Sequence, residues 1–153
     1  MNIKGRILGL DYGRKRIGIS VSDPLQITAQ PLFALEGLKE EEKIGKIVEL
    51  VDEYDIQSIV VGYPLTLKGK KSEFTNKVSE FINTLKDRVQ IEVILWDERL
   101  SSVQAHRLMH EMNIKPSRDK AKVDILASVL ILMNYLDYLR QSSNISDEEQ
   151  FDI

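Results

Sequence analysis

Asp11 closes a short apolar run and is followed at once by Tyr12, Gly13 and three bases, Arg14, Lys15 and Arg16. Two more acids, Asp97 and Glu98, close a later apolar run with Arg99 beside them, and Asp124 stands near the start of a long apolar stretch. Carboxylates suit hard divalent cations such as Mg²⁺, and two such ions can stabilise both the attacking and the leaving oxygen of an in-line phosphoryl displacement. If these acids converge, the chemistry on offer is cation-assisted cleavage of a phosphate ester. Each acid also has a plainer reading. Asp11 can simply begin a turn, which Asp favours; Asp97 or Glu98 can pair with Arg99; Asp124 can be a cap-like acid at a helix start, neutralised by Lys120 or Lys122. Spacing alone does not choose between the two.

The elements that must position these groups can be read from periodicity. Ile7, Leu8 and Leu10 precede Asp11, and Ile17, Ile19 and Val21 alternate with Gly18, Ser20 and Ser22. That pattern predicts a hairpin whose first strand ends at Asp11 and whose turn holds the bases. Residues 27–35 follow as a third strand, with Pro24 and Pro31 pointing to an edge position. The period then changes. Ile44, Ile47, Val48, Val51 and Tyr54 predict a helix with Glu40, Glu41 and Glu42 at its positive end. A buried strand is expected over 58–62, a second helix around Phe74, Val78, Phe81, Ile82 and Leu85, and a fifth strand over 91–96. Ser101 and Gln104 suit a capping box for the next helix. Residues 123–136 are apolar nearly all round, which predicts a last helix buried against the sheet. Helix and strand alternate after the third strand, so the class is α/β, with an antiparallel trio and a parallel half. Ligands in such sheets bind at the C-terminal strand ends, where Asp97 and Glu98 are delivered, although alternation keeps the two from facing one ion together.

Composition limits the alternatives. A chain of 153 residues that is 42% hydrophobic suffices for one sizeable core. No apolar run is long enough for a membrane span, MNIKGR lacks the core of a signal peptide, and no cysteine is present for a disulfide, thiol nucleophile or cysteine zinc site. Cytoplasmic localisation and no membrane partner are the expectation. The net charge of −3 conceals an uneven distribution: four of the 24 acids lie in 141–153, so residues 1–140 carry 21 bases and 20 acids. The bases cluster at Arg14, Lys15 and Arg16, at Lys68, Lys70 and Lys71, and at Lys115, Arg118, Lys120 and Lys122. Such clusters can hold a polyanion even on a near-neutral protein; taken singly, each is equally ordinary surface charge. His106 and His110 stand four apart on a predicted helix, but without the Glu of a His-Glu-x-x-His site they read as surface or half-buried helix positions rather than a zinc face. Trp96 reads as core, and base stacking would require it to be exposed.

Four ordered blocks carry a family resemblance: LGLDYGRKRIGISVSD (8–23), VVGYPLTLKGKKSEFTNKV (60–78), WDERLSS (96–102) and KAKVDILASVLIL (120–132). Through them the chain resembles, over about residues 5–139, the YqgF/RuvX family of pre-16S rRNA nucleases, in the RNase H-like superfamily and related to Holliday-junction resolvases. The resemblance implies an RNase H-like fold, a mixed five-stranded sheet of three antiparallel and then two parallel strands flanked by helices. It implies a hydrolase that cleaves phosphodiesters with Mg²⁺ or Mn²⁺ held by Asp11, Glu98 and Asp124 as catalytic metal ligands. Arg14, Lys15 and Arg16 match its basic turn, and Arg99 follows the glutamate, so these, with Lys68, Lys70 and Lys71, are the expected nucleic-acid contacts. Thr66 and Lys68 depart from the family's usual Asn and acidic residue, which leaves the contacts of 66–71 open.

The expected partner is precursor rRNA or structured DNA, with association to the ribosome and a monomer or weak homodimer. A junction resolvase, which needs a stable symmetric dimer for paired cuts, is the alternative, as is a non-catalytic nucleic-acid-binding module. Actin-like and sugar-kinase ATPases open with a similar hairpin but need two such domains, and no Walker loop occurs. Residues 1–140 are expected to form the domain and 141–153 an acidic, disordered tail.

Overall fold

The computed structural model describes residues 4–63, 73–97, 101–115 and 118–151, without the side chains of 101–103, 105 and 143–151. β1 (Arg6–Tyr12), β2 (Arg16–Ser22) and β3 (Ala29–Glu36) are followed by α1 (Glu40–Glu53), β4 (Ile56–Tyr63), α2 (Glu73–Arg88), β5 (Glu92–Asp97), α3 (Ser101–Glu111) and α4 (Lys120–Phe151). The strands form one sheet in the order β3-β2-β1-β4-β5. β1–β2 and β2–β3 pair antiparallel; β1–β4 and β4–β5 pair parallel. The expected trio and parallel pair are therefore present, and β3 is an edge strand, as expected. Pro31 sits opposite Ser20, where the β2–β3 register shifts, as its missing N–H requires.

Strand alternation divides the sheet into two faces. Leu8, Leu10, Ile17, Ile19, Val21, Ile59 and Val61 point to one side and join Ile44, Ile47, Val78, Phe81, Ile82 and Leu85 of α1 and α2 in the larger core. Ile7 and Val60 point to the other and meet Ile131, Leu132, Tyr135 and Leu136 of α4. α4 is less enclosed than its composition suggests. Ser128, Ile131, Leu132, Tyr135 and Leu136 are buried at helical spacing, while Met133 and Tyr138 are exposed and Val129 and Leu130 half-buried. One helical stripe against a flat sheet is all that can be covered, and α3 shields only part of the rest. The backbone of α4 continues helically past residue 140, to Phe151, through the segment expected to be a separate tail.

Why α4 lies so near the sheet is explained by the small residues that alternate on its face. A Cβ on Gly18 would come 2.0 Å from the carbonyl oxygen of Asp124, and one on Gly9 would come 3.0 Å from the Cβ of Leu132 and 3.1 Å from the carbonyl of Ser128. Between them the buried Ser20 hydroxyl donates to the Ser128 carbonyl at 2.8 Å. Positions 124, 128 and 132, one helical turn apart, thus rest in a trough of Gly9, Gly18 and Ser20. α3 ends where Asn113 turns left-handed (φ 57°) and Ile114 N–H donates to the Met109 carbonyl at 2.9 Å, a helix stop for which Asn is suited.

Candidate active site

Asp11 lies one residue before the end of β1, half-buried and paired with Gly18 of β2. Directly opposed residues of an antiparallel pair point to the same face, with Cβ atoms about 5 Å apart. Because α4 packs on Gly18 at Asp124, the Asp11 side chain shares the face on which the first turns of α4 lie. The first strand and the last helix, more than a hundred residues apart in the chain, therefore bring Asp11 and the backbone of Asp124 to the same face of the sheet, on either side of Gly18. At the end of β5, Trp96 belongs to the α4 face, so alternation turns the exposed Asp97 to the opposite side. Glu98 and Arg99 lie outside the described residues, as do Lys68, Lys70 and Lys71.

The three bases of the turn have different settings. Arg14 lays its guanidinium over the ring of Phe74 at 5.0 Å, a cation–π contact on the first turn of α2. Lys15 is exposed, and its carbonyl accepts a hydrogen bond at 3.3 Å from the Nζ of Lys43, a lysine of α1 buried along its stem. Arg16, expected at a phosphate, is instead committed to two carboxylates. Its Nε donates to Asp124 Oδ2 at 2.9 Å and its Nη1 to Glu36 Oε1 at 3.1 Å, with only 13% of its side chain exposed. The hydrogen bond to Asp124, then that to Glu36, raises the guanidinium's pKa further and keeps it charged. Asp124 is thus neutralised by Arg16 rather than by Lys120 or Lys122. Glu36 escaped the sequence reading, although the signal was there: it is the direct β2–β3 partner of Arg16, an opposite-charge cross-strand pair.

Tyr12, next to Asp11, points to the other face. Its ring packs on Phe81 at 4.5 Å and Phe74 at 6.0 Å, and its hydroxyl donates to Glu40 Oε1 at 2.9 Å. Burial first, then the Glu40 carboxylate and Glu80, push the phenol up to about 12. This pins the turn from below. Above it opens a cleft of about 430 Å³ lined by Gly13, Arg14, Lys15, Arg16, Phe74, Lys120 and Asp124.

Among the described residues no three His, Cys, Asp or Glu side chains stand close enough to hold a metal ion together. Asp11 and Asp124 carry the oxygen donors that hard divalent cations take, and such a cation needs only one or two carboxylates when substrate phosphate supplies further oxygens. His106 and His110 are exposed on α3 and take no part in lining the cleft. Trp96 is half-buried and makes an edge contact with Tyr135 at 5.4 Å, as a core residue would. No helix among the described residues is long and apolar enough to cross a membrane.

A family model described as "RuvX: Holliday junction resolvase" matches residues 5–138. A relative from Ruminiclostridium cellulolyticum named "Putative pre-16S rRNA nuclease" is 46% identical over 136 residues, 86% of this chain and 94% of its own. Another of the same name from Acetivibrio thermocellus is 47% identical, over 86% of this chain and 95% of its own. Among solved structures, T. thermophilus RuvC in complex with a Holliday junction substrate matches with a TM-score of 0.58 at 16% identity, covering 90% of this chain and 96% of that one. The fowlpox virus resolvase bound to junction DNA gives a TM-score of 0.51 at 15% identity, covering 88% of this chain and 98% of that one. These structural likenesses speak to the fold alone, which is RNase H-like. The strand order, the four sequence blocks and relatives matched over nearly their whole length agree, and this chain belongs to the RuvX family.

Proposed function

We propose that this protein is a divalent-cation-dependent nuclease that hydrolyses phosphodiester bonds in maturing the 5′ end of pre-16S rRNA. The observation that supports the reading is the placement of Asp11 and the start of α4 on one sheet face across Gly18, with Asp124 lining a cleft bordered by Arg14, Lys15 and Lys120. The relatives at 46–47% identity bear the name of that activity, which supports RNA as the substrate.

Asp11 and Asp124 are the proposed ligands of Mg²⁺ or Mn²⁺, with Glu98, from the Asp-Glu-Arg block, as the third. A cation held there supplies charge neutralisation at the scissile phosphate and acidifies the attacking water. The chain's own groups do the remaining work. Lys15 and Lys120 border the cleft and attract the phosphate backbone, and Arg14 is held in place by Phe74. Arg99, Lys68, Lys70 and Lys71 extend the nucleic-acid contacts. We place the protein in the cytoplasm, acting on ribosome-associated precursor as a monomer or weak homodimer.

The test is cleavage of a labelled rRNA precursor carrying its 5′ extension, with Mg²⁺ or Mn²⁺, run beside a four-way DNA junction. The junction is included because the matching family is described as a resolvase. Metal-dependent cutting at the precursor's 5′ side is expected, with losses beyond about 100-fold in Asp11→Asn and Asp124→Asn, since even residues behind a metal ligand typically contribute 10- to 100-fold. Cutting of the junction alone would transfer the activity to DNA. Full activity in either variant would remove the site.

A further inference from the structure

A single guanidinium joins two acids of unequal standing. Asp124 lies on α4 at the site, its side chain 23% exposed, whereas Glu36 ends the edge strand β3 with a side chain 57% exposed and lies outside the cleft's lining. Arg16 takes Asp124 through Nε and Glu36 through Nη1, so the two acids share one positive charge. Arg16 occupies only Oδ2 of Asp124, but a positive charge beside a carboxylate opposes a cation at that carboxylate. Glu36 offsets that charge.

We propose that Glu36 is a positioning residue that balances Arg16, drawing the guanidinium toward the edge strand so that Asp124 can be given over to the divalent cation. It acts only through Arg16. This rests on the reading of Asp124 as a cation ligand given above. Neutralising Glu36 leaves Arg16 with Asp124 as its one carboxylate among the described residues, and cation binding weakens. Removing Arg16 as well takes away the competitor, and the charge of Glu36 no longer matters.

The experiment is titration of the purified full chain with Mn²⁺, followed by electron paramagnetic resonance of the free ion, for wild type, Glu36→Gln, Arg16→Gln and the double variant. Circular dichroism accompanies each titration. Glu36 is exposed, so its variant keeps the fold. Glu36→Gln should weaken Mn²⁺ binding roughly two- to fivefold, the scale of a partly exposed charge pair. In the Arg16→Gln background the same substitution should change nothing. An unchanged Kd in Glu36→Gln, or a loss of equal size with and without Arg16, overturns the proposal; the latter would make Glu36 a simple distant charge. Absence of Mn²⁺ binding by the wild type overturns the cation-site reading itself, and an Asp124→Asn control that still binds as wild type does so for the assignment of Asp124. A merely structural role for the bridge would lower thermal stability and leave the Kd of the folded protein where it was.

Discussion

At the scale of single residues, the site is a set of charges held in place by neighbours of different kinds. Asp124 is held by a guanidinium, Arg14 by an aromatic face and the Lys15 carbonyl by a buried lysine. Tyr12 supports the same turn from the opposite face, and its chemistry makes that support dependent on pH. The folded state raises its phenol from 10.0 to about 12, chiefly through burial and then through Glu40. Between those values the unfolded chain releases the proton while the folded protein retains it, so stability falls as pH rises. The contribution is fully present below pH 10 and gone above about 12. Urea midpoints measured from pH 9 to 12 should therefore decline, and Tyr12→Phe should flatten the decline over that window. A variant that keeps the wild-type slope would place the alkaline sensitivity elsewhere.

At the scale of elements, the decisive contact is helix on strand rather than side chain on side chain. Nothing but Gly at position 18 lets the first turns of α4 rest on β2, because a Cβ there would meet the Asp124 carbonyl carbon at 2.3 Å as well as its oxygen. Backbone cannot give way as a flexible side chain can. Gly18→Ala should cost about 3 kcal/mol, the upper part of the overpacking range, and should move Asp124 away from Asp11. Gly45 makes a useful contrast. It lies within α1 with nothing within 4 Å of a built Cβ, so Gly45→Ala should stabilise by about 1 kcal/mol. Urea denaturation of the two variants checks both signs, and equal effects would show that the trough is not what seats α4.

At the scale of the molecule, the formal charge of −3 and the expected polyanionic partner are reconciled by placement. Arg14, Lys15 and Lys120 border one cleft, while Arg16, though adjacent in sequence, is occupied by carboxylates. Replacing Arg14, Lys15 and Lys120 together by Gln should weaken nucleic-acid binding and reduce the slope of log K against log salt. The reduction should be about 0.7 for each phosphate no longer neutralised on a single strand and about 0.9 on a duplex. Arg16→Gln should leave that slope nearly unchanged. An unaltered slope in the triple variant would exclude the cleft as the path of the backbone.

The strands, the helices, their order and the mixed pairing could be read from the sequence, because periods of two and of about four residues are imposed locally by which face must leave water. The four blocks likewise carried the family, and with it the acids to look for. The sequence also displayed Gly18, Ser20 and Ser22 as a small, polar alternation, without revealing that Gly18 and Ser20 help to seat the last helix. What each base does was beyond its reach: Arg14, Lys15 and Arg16 are equal as consecutive letters and unequal only once Phe74, Lys43, Glu36 and Asp124 surround them. Local pattern determines which elements form, since that free energy is settled within a turn or a pleat. Which charges meet is decided by how the elements pack, because a hydrogen bond acts over about 3 Å and the chain brings residues 16 and 124 that close only when it is folded.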